Sequence, residues 1–348
     1  MTSLNDYNMG RTVGKGAFGR VYSGRDKKNR RCAIKKIRDE DRFRKAALKE
    51  IKFLKKLKSN IKVDESYEKT DSNKSYIVDF YGEFKEDNIQ YIVFEYLEID
   101  LYKYYSDNEL SFADICKIGF QIINGIEFFH NLNIIHADLK PENIMISKKT
   151  KEVKIIDFGS AIEDSYPKKS EFYIQSRYYR SPEVLYGVNY GKEIDIWSFA
   201  CIIYELFFKD PLFPGKNTKD MIFIISGYID IPYDLDYYRD TKVFSECFKK
   251  ELEYNNCGVD SDSDVDLGCE NEYYTFKYCS NTSNKKYRLP GYNFKYILNY
   301  KLRPKCKEYE KKNFIELLSS IIRYDYFNRP KAKDIKNAEI FLEYKLGF

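Results

Sequence analysis

Three side chains in "NIIHADLKPENIMI" (133–146) sit at offsets that suit phosphoryl transfer: Asp138, Lys140 and Asn143. A carboxylate at Asp138, on a polar loop between two apolar runs, can accept the proton of a substrate hydroxyl and orient it for in-line attack. Lys140 can neutralise charge on the moving group, and the Asn143 amide offers a neutral oxygen to Mg2+. Taken alone, the stretch also reads as a polar turn, where Asp, Pro and Asn are common. A second carboxylate weakens that reading. Asp157 ends the β-branched run in "VKIIDFGSA", ahead of Phe158 and Gly159. Two strands joined by a short turn would bring it beside Asn143, a pairing that suits an octahedral cation on nucleotide phosphates.

Gly14, Gly16 and Gly19 in "VGKGAFGRV" form G-x-G-x-x-G, a weak signal by itself. A Rossmann turn needs a helix directly after the glycines, whereas "RVYSGR" continues as a strand. The expectation is a Gly-rich hairpin whose backbone N–H groups fold over phosphates, with Val21 beneath an adenine. Lys35 is central to the apolar run "CAIKK", where an ammonium is costly unless paired. Its candidate partner is Glu50, facing inward beside Ile51 and Leu54 on the helix that follows. That pair would hold the ammonium against the α- and β-phosphates.

The elements that must position these groups are legible from periodicity. The first hundred residues read as short strands around one helix, "RFRKAALKEIKFLKKLK", whose Phe43, Ala47, Ile51 and Leu54 repeat at spacings of four, four and three. From about residue 98 the chain turns helical. Ser111 is a good N-cap with Asp114 at N3, and "KEIDIWSFACIIYELFF" is apolar on nearly all sides, as a central buried helix would be. "KNFIELLSSIIRY" is the last helical pattern. Between 255 and 284 the acidic "CGVDSDSDVDLGCENE" reads as a solvated insertion loop, and no Gly falls at the sixth position that an EF-hand requires.

Composition narrows the class. The chain has 348 residues, 43% hydrophobic, with 33 tyrosines and a net charge of +5 from 59 basic and 54 acidic residues. So small an excess does not imply nucleic acid, and the basic run "RDKKNRR" lacks the interleaved aromatics of a stacking platform. The eight cysteines include no C-x-x-C pair and the only histidines are His130 and His136, which argues against a structural zinc. Cys116 and Cys201 lie in apolar runs and read as buried thiols of a reducing compartment. The start shows neither a charged n-region nor an apolar h-region, and no apolar run reaches membrane-spanning length without charge. An intracellular chain without membrane or nucleic-acid partners is expected, in cytoplasm, nucleus or both.

In fixed order, the Gly-rich hairpin, A33-I-K35, Glu50, H136-A-D-L-K-P-E-N143 and D157-F-G159 resemble the eukaryotic protein kinase family from about Tyr7 to Phe341. "RSPEVLYG" resembles the family's A-P-E segment with Ser181 in place of Ala. Asp195 matches the central-helix aspartate that holds the catalytic loop, and Arg329 the arginine that pairs with Glu183. The resemblance implies an α+β, two-lobed kinase fold: an antiparallel-sheet N-lobe with one main helix over 1–97, and a mainly helical C-lobe over 98–348 with an insertion at about 216–300, acidic over 257–272. It implies ATP covered by Val13, Gly14, Lys15, Gly16, Ala17, Phe18 and Gly19, and bounded by Val21, Ala33, Phe94 at the back and a hinge at Glu95 to Leu97. Lys35, Glu50, Asp138 and Lys140 would then be catalytic, and Asn143 and Asp157 would hold Mg2+. A monomer acting on protein substrates is implied.

Lys140 is the serine/threonine-type signature. "YIQSRYYRSPE" resembles the activation segment of the dual-specificity tyrosine-regulated kinases (the DYRK family, with its Yak-type and homeodomain-interacting relatives). "HADLKPENIM" leans to the homeodomain-interacting branch and "YIQSRYYRSPEVL" to the Yak and DYRK branch, so the subfamily stays open. Ala137 stands where many kinases carry an arginine that receives an activation-loop phosphate. In the DYRK family a tyrosine at the position of Tyr173 is self-phosphorylated, and arginines at the positions of Arg177 and Arg180 take its phosphate. Such charge-assisted bonds are worth on the order of 1.5–3 kcal/mol each. This chain departs from the usual tyrosine pair in having Phe172 before Tyr173. Arg180 also matches the arginine that favours proline after the target residue. A pseudokinase, a scaffold on the same fold, would be expected to lack Lys35, Asp138 or Asp157, and all three are present.

Overall fold

The structure is a computed structural model that describes residues 4–16, 18–61, 75–165, 174–229, 235–254, 270–276, 294–302 and 307–345. The chain opens with β1 (Tyr7–Lys15), β2 (Gly19–Asp26) and β3 (Arg31–Ile37); after helix α1 (Asp41–Asn60) come β4 (Phe80–Glu86) and β5 (Ile89–Glu95). They form one antiparallel sheet in the order β1-β2-β3-β5-β4. Within β3, Cys32 and Ile34 are fully buried against Phe84, Tyr91 and Val93 on one face. Side chains alternate along a strand, so Ala33 and Lys35 point to the opposite face, toward α1. Phe43, Ala47, Ile51 and Leu54 are buried as their spacing predicts, and Glu50 is buried among them at 2% exposure.

Beyond the sheet the chain is mainly helical. A two-residue strand, β6 (Ile99–Asp100), leads into α2 (Leu101–Asp107) and α3 (Phe112–Asn131). α3 opens on a complete capping box: the Ser111 hydroxyl accepts from Asp114 N at 3.1 Å, and the Asp114 carboxylate accepts from Ser111 N at 3.2 Å. After it come β7 (Ile134–Ile135), β8 (Ile144–Ile146), β9 (Val153–Ile155), β10 (Ile162–Glu163) and α4 (Pro182–Tyr186). α5 (Glu193–Phe208) is the buried helix its composition predicts, with Trp197, Phe199, Ala200 and Ile202 fully enclosed. Burial of each large apolar side chain stabilises the fold by about 1.5–3 kcal/mol.

From residue 216 onward come α6 (Thr218–Tyr228), α7 (Asp236–Arg239), α8 (Lys242–Cys247), β11 (Phe248–Tyr254), β12 (Glu270–Phe276) and α9 (Phe294–Leu302). The loop expectation for 255–284 is therefore corrected at 270–276. That segment pairs antiparallel with β11 in unbroken register, from Phe248 opposite Phe276 to Tyr254 opposite Glu270. Acidic composition masked the aromatic and β-branched content of "EYYTF", which favours a strand. Asp260, Asp262, Asp264 and Asp266 lie outside the described residues. α10 (Glu308–Ile321), α11 (Ala332–Lys336) and α12 (Leu342–Lys345) complete the described chain. Among the described residues, no helix is long and apolar enough to cross a membrane.

Candidate active site

Strand register assembles one wall of the site. Gly14 pairs with Val21, Val21 with Lys35, and Lys35 with Ile92; Ala33 lies opposite Ser23 on one side and Phe94 on the other. Directly paired residues point the same way, so Val21, Ala33, Lys35 and Phe94 share one face. Gly16 N donates to Gly19 O at 3.0 Å and closes the hairpin tip. Only one of these glycines is demanded by local space: a Cβ on Gly19 would lie 2.0 Å from the Lys36 carbonyl, whereas one on Gly16 would meet nothing within 4 Å. Val13 and Lys15 are exposed, Phe18 packs edge-on against Phe43 at 6.0 Å, and Ala17 lies outside the described residues.

Lys35 donates to both Glu50 oxygens at 2.9 Å and to Asp157 Oδ1 at 3.2 Å. Burial works against the ammonium, but the two carboxylates outweigh it and hold Lys35 charged, above its ordinary pKa. Burial likewise works against ionised Asp157, yet Lys35 keeps its carboxyl below the ordinary value. Of the residues expected at the hinge, Leu97 is half-buried. The Glu95 carboxylate turns away: it accepts from Asp79 N at 2.7 Å and meets Lys154 at 3.1 Å, while Glu95 N donates to Asp79 O at 3.0 Å, so neither the carboxylate nor this N–H is left for a ligand.

The loop before β8 is held from below. Asp195, fully buried near the start of α5, accepts from Ala137 N at 3.0 Å on Oδ1 and from His136 N at 2.8 Å on Oδ2; His130 Nε2 lies 3.0 Å from Oδ2. Ala137 adopts φ +61°, a left-handed conformation that L-residues reach at a cost of about 1–2 kcal/mol. Its methyl packs in an apolar cluster with Ile135, Val184, Tyr190 and Ile194. The position where an arginine is missing is thus part of a buried apolar cluster. His136 Nε2 lies 3.0 Å from Ile156 O, and its ring packs on Phe158, itself fully buried beside Phe129.

β8 and β9 pair as expected, with Ile144 opposite Ile155, and Ile156 N donates to Asn143 O at 2.9 Å. This brings Asn143 and Asp157 to the same end of the ribbon. The Asn143 amide nitrogen donates to Asp138 O at 2.8 Å and to Asp138 Oδ2 at 3.1 Å, which leaves the amide oxygen for a cation. Asp157 sits at φ +62° with Oδ1 turned to Lys35 and Gly159 N. A neutral oxygen, a carboxylate and a charged lysine at the base of the glycine hairpin fit a nucleotide with a divalent ion.

Sequence reasoning missed the residue that closes the other side of Asp138. Ser176 Oγ donates to Asp138 Oδ1 at 2.7 Å and accepts from Lys140 Nζ at 2.9 Å; Lys140 also meets Asp138 Oδ2 at 3.1 Å. Gln175, at φ +62°, ties this segment down further: its N donates to Ala137 O, and its side-chain amide binds Tyr179 O, Ile194 O and the Ser198 hydroxyl. Nothing but the motif "IQSR" marks either residue in the sequence. Arg180 is buried, donating through Nε to Ile174 O at 2.8 Å and through a terminal nitrogen to Gln175 O at 2.6 Å, while Arg177 is exposed. Tyr173, their expected partner, lies outside the described residues. Arg329 forks onto both Glu183 oxygens in a fully buried pair, as the family resemblance implied.

The protein kinase domain matches residues 7–341 of the chain. The chain is 38% identical over 225 residues to a probable serine/threonine-protein kinase dyrk2 of Dictyostelium discoideum, covering 63% of this chain and 23% of that protein. It is 36% identical over 231 residues to dual specificity tyrosine-phosphorylation-regulated kinase 3 of Rattus norvegicus, covering 65% and 38%. Against dual specificity tyrosine-phosphorylation-regulated kinase 4 of Homo sapiens the values are 38% identity, 65% and 42%. The chain therefore spans less than half the length of these relatives.

Proposed function

The chain belongs to the protein kinase domain family, and on that premise we propose that it transfers the γ-phosphoryl group of ATP to Ser and Thr hydroxyls of protein substrates and phosphorylates its own Tyr173. The observation that carries this reading is the Lys35 ammonium held between Glu50 and Asp157, at 2.9 and 3.2 Å, while Asp138 is fixed from three sides. The chemistry Mg2+ would supply is neutralisation of the charge that develops on the phosphates. Asn143 and Asp157 would hold it, and Lys35 would orient the α- and β-phosphates. Asp138 Oδ1 receives the single hydroxyl of Ser176, so a lone pair remains for an incoming Ser or Thr hydroxyl. That bond aligns the nucleophile, and Asp138 takes its proton as the new P–O bond forms and the bond from the γ-phosphorus to the departing ADP breaks. Lys140, bridging Asp138 and Ser176, would follow the transferred group's charge.

Tyr173 as the regulatory acceptor rests on its neighbours. Arg177 is exposed and offers a guanidinium, whereas Arg180 is engaged with the carbonyls of Ile174 and Gln175, just beyond Tyr173 in the chain. A phosphate on Tyr173 would be met mainly by Arg177. Arg180 would act by shaping the loop, and through it favour proline after the target residue. The test is a peptide-library phosphorylation profile of the purified chain, with Asp138→Asn as control and mass spectrometry of Tyr173. Turnover that survives Asp138→Asn refutes the catalytic reading. An unmodified Tyr173, or full activity in Tyr173→Phe, refutes the regulatory one.

A further inference from the structure

Glu205 is a buried carboxylate, 3% exposed, that no step of the transfer uses. Tyr105 of α2 donates to its Oε1 at 2.6 Å and Tyr179 donates to its Oε2 at 2.7 Å, and both rings are themselves buried. Tyr179 ends the short 3-10 turn Arg177–Tyr179; its N donates to Ser176 O at 3.0 Å, and its carbonyl accepts from Ser198 Oγ at 2.9 Å. Ser176 in turn binds Asp138 at 2.7 Å. A chain of short contacts thus runs from α2, which follows the hinge, through Glu205 and Tyr179 to the segment that touches Asp138.

We propose that Tyr105 is a positioning residue for the protein-substrate side of the site: it holds Glu205, which fixes Tyr179 and through it the turn that carries Ser176. The proposal rests on the kinase reading above. The groups facing Glu205 agree with it. Glu142 and Asp210 repel its charge, no lysine or arginine offsets it among its described partners, and burial raises its pKa, so the two phenols are what favour the ionised form. Removing one phenol oxygen leaves a buried carboxylate oxygen without a donor, which weakens the anchor by far more than the size of the missing atom.

The experiment is Tyr105→Phe, which deletes one oxygen and leaves the ring. The expected result is a KM for the best library peptide raised roughly tenfold or more, the loss of about one hydrogen bond to a charged group, with the KM for ATP within twofold of wild type. Hydrogen exchange at residues 174–181 should accelerate by a similar factor while α3 is unchanged, a readout that requires no activity. Tyr179→Phe should reproduce both effects, and the double variant should fall short of the product of the singles, because the phenols share one carboxylate. Unchanged exchange at 174–181 in Tyr105→Phe, or ATP and peptide KM rising together, overturns the proposal. If Tyr105→Phe does not fold, Tyr179→Phe reads the same link from its other end, and unfolding of both assigns the network to stability alone. A wild-type chain without transferase activity refutes the kinase reading, while the exchange experiment still decides this one.

Discussion

Replacing Asp195 by Asn tests how the loop that presents Asp138 is held. The carboxylate accepts Ala137 N on Oδ1 at 3.0 Å, and His136 N and His130 Nε2 on Oδ2 at 2.8 and 3.0 Å. Asparagine is the same size, so no cavity forms, but one oxygen becomes an NH2 group. Whichever way the amide turns, it faces a backbone N–H that then has no acceptor, at about 1–3 kcal/mol for a buried donor. The contacts that survive change from charge-assisted to neutral, which removes roughly 1 kcal/mol from each. The expected loss is about 3–5 kcal/mol, a large part of the 5–15 kcal/mol typical of a folded domain. Urea unfolding can follow Trp197, the single tryptophan, buried two residues along the same helix. Phosphate transfer should fall with stability, because Ala137 at φ +61° is held by these bonds against its own backbone preference. A variant that loses less than about 1 kcal/mol would show that the buried carboxylate is not the anchor.

Gly19→Ala should lower stability by roughly 2 kcal/mol or more, since its Cβ would lie 2.0 Å from the Lys36 carbonyl of the neighbouring strand. Gly16→Ala, with nothing within 4 Å, should stay within about 0.5 kcal/mol of wild type in the same thermal-shift measurement; equal effects would refute the steric argument. Glu205 has a folded pKa raised above its ordinary 4.5 by burial, against the pull of Tyr105 and Tyr179. A raised pKa stabilises the fold fully below the unfolded value and loses that contribution as pH rises through the folded one. The stability of wild type relative to Glu205→Gln should therefore decline as pH rises from 4.5. A difference independent of pH in paired urea titrations would refute the assignment.

Some of the site was legible because its signals are local. The apolar run around Lys35 called for a paired ammonium, and period 3.6 put Glu50 on the buried side of α1 with Ile51 and Leu54. The apolar runs around 144 and 155 predicted the ribbon that aligns Asn143 with Asp157. The acidic stretch was read too far as loop, because charge hid the strand at 270–276. For Glu95 the side chain's direction was not legible, because Lys154 and Asp79 N fix it from outside the motif.

By itself, then, the sequence determined which residues could do chemistry and which face of each element they occupy, since both follow from residue type and a short repeat. It also determined that Ala137 cannot receive a phosphate. Only the tertiary structure decided why alanine fits there: an apolar cluster and two bonds from Asp195, 58 and 59 residues away in the chain. It alone decided that Ser176 meets Asp138 across 38 residues, and that Tyr105 and Tyr179 meet Glu205 across 100 and 26. Contacts at such separations leave no periodic trace, because they are selected by how helices and loops pack rather than by what any one segment prefers.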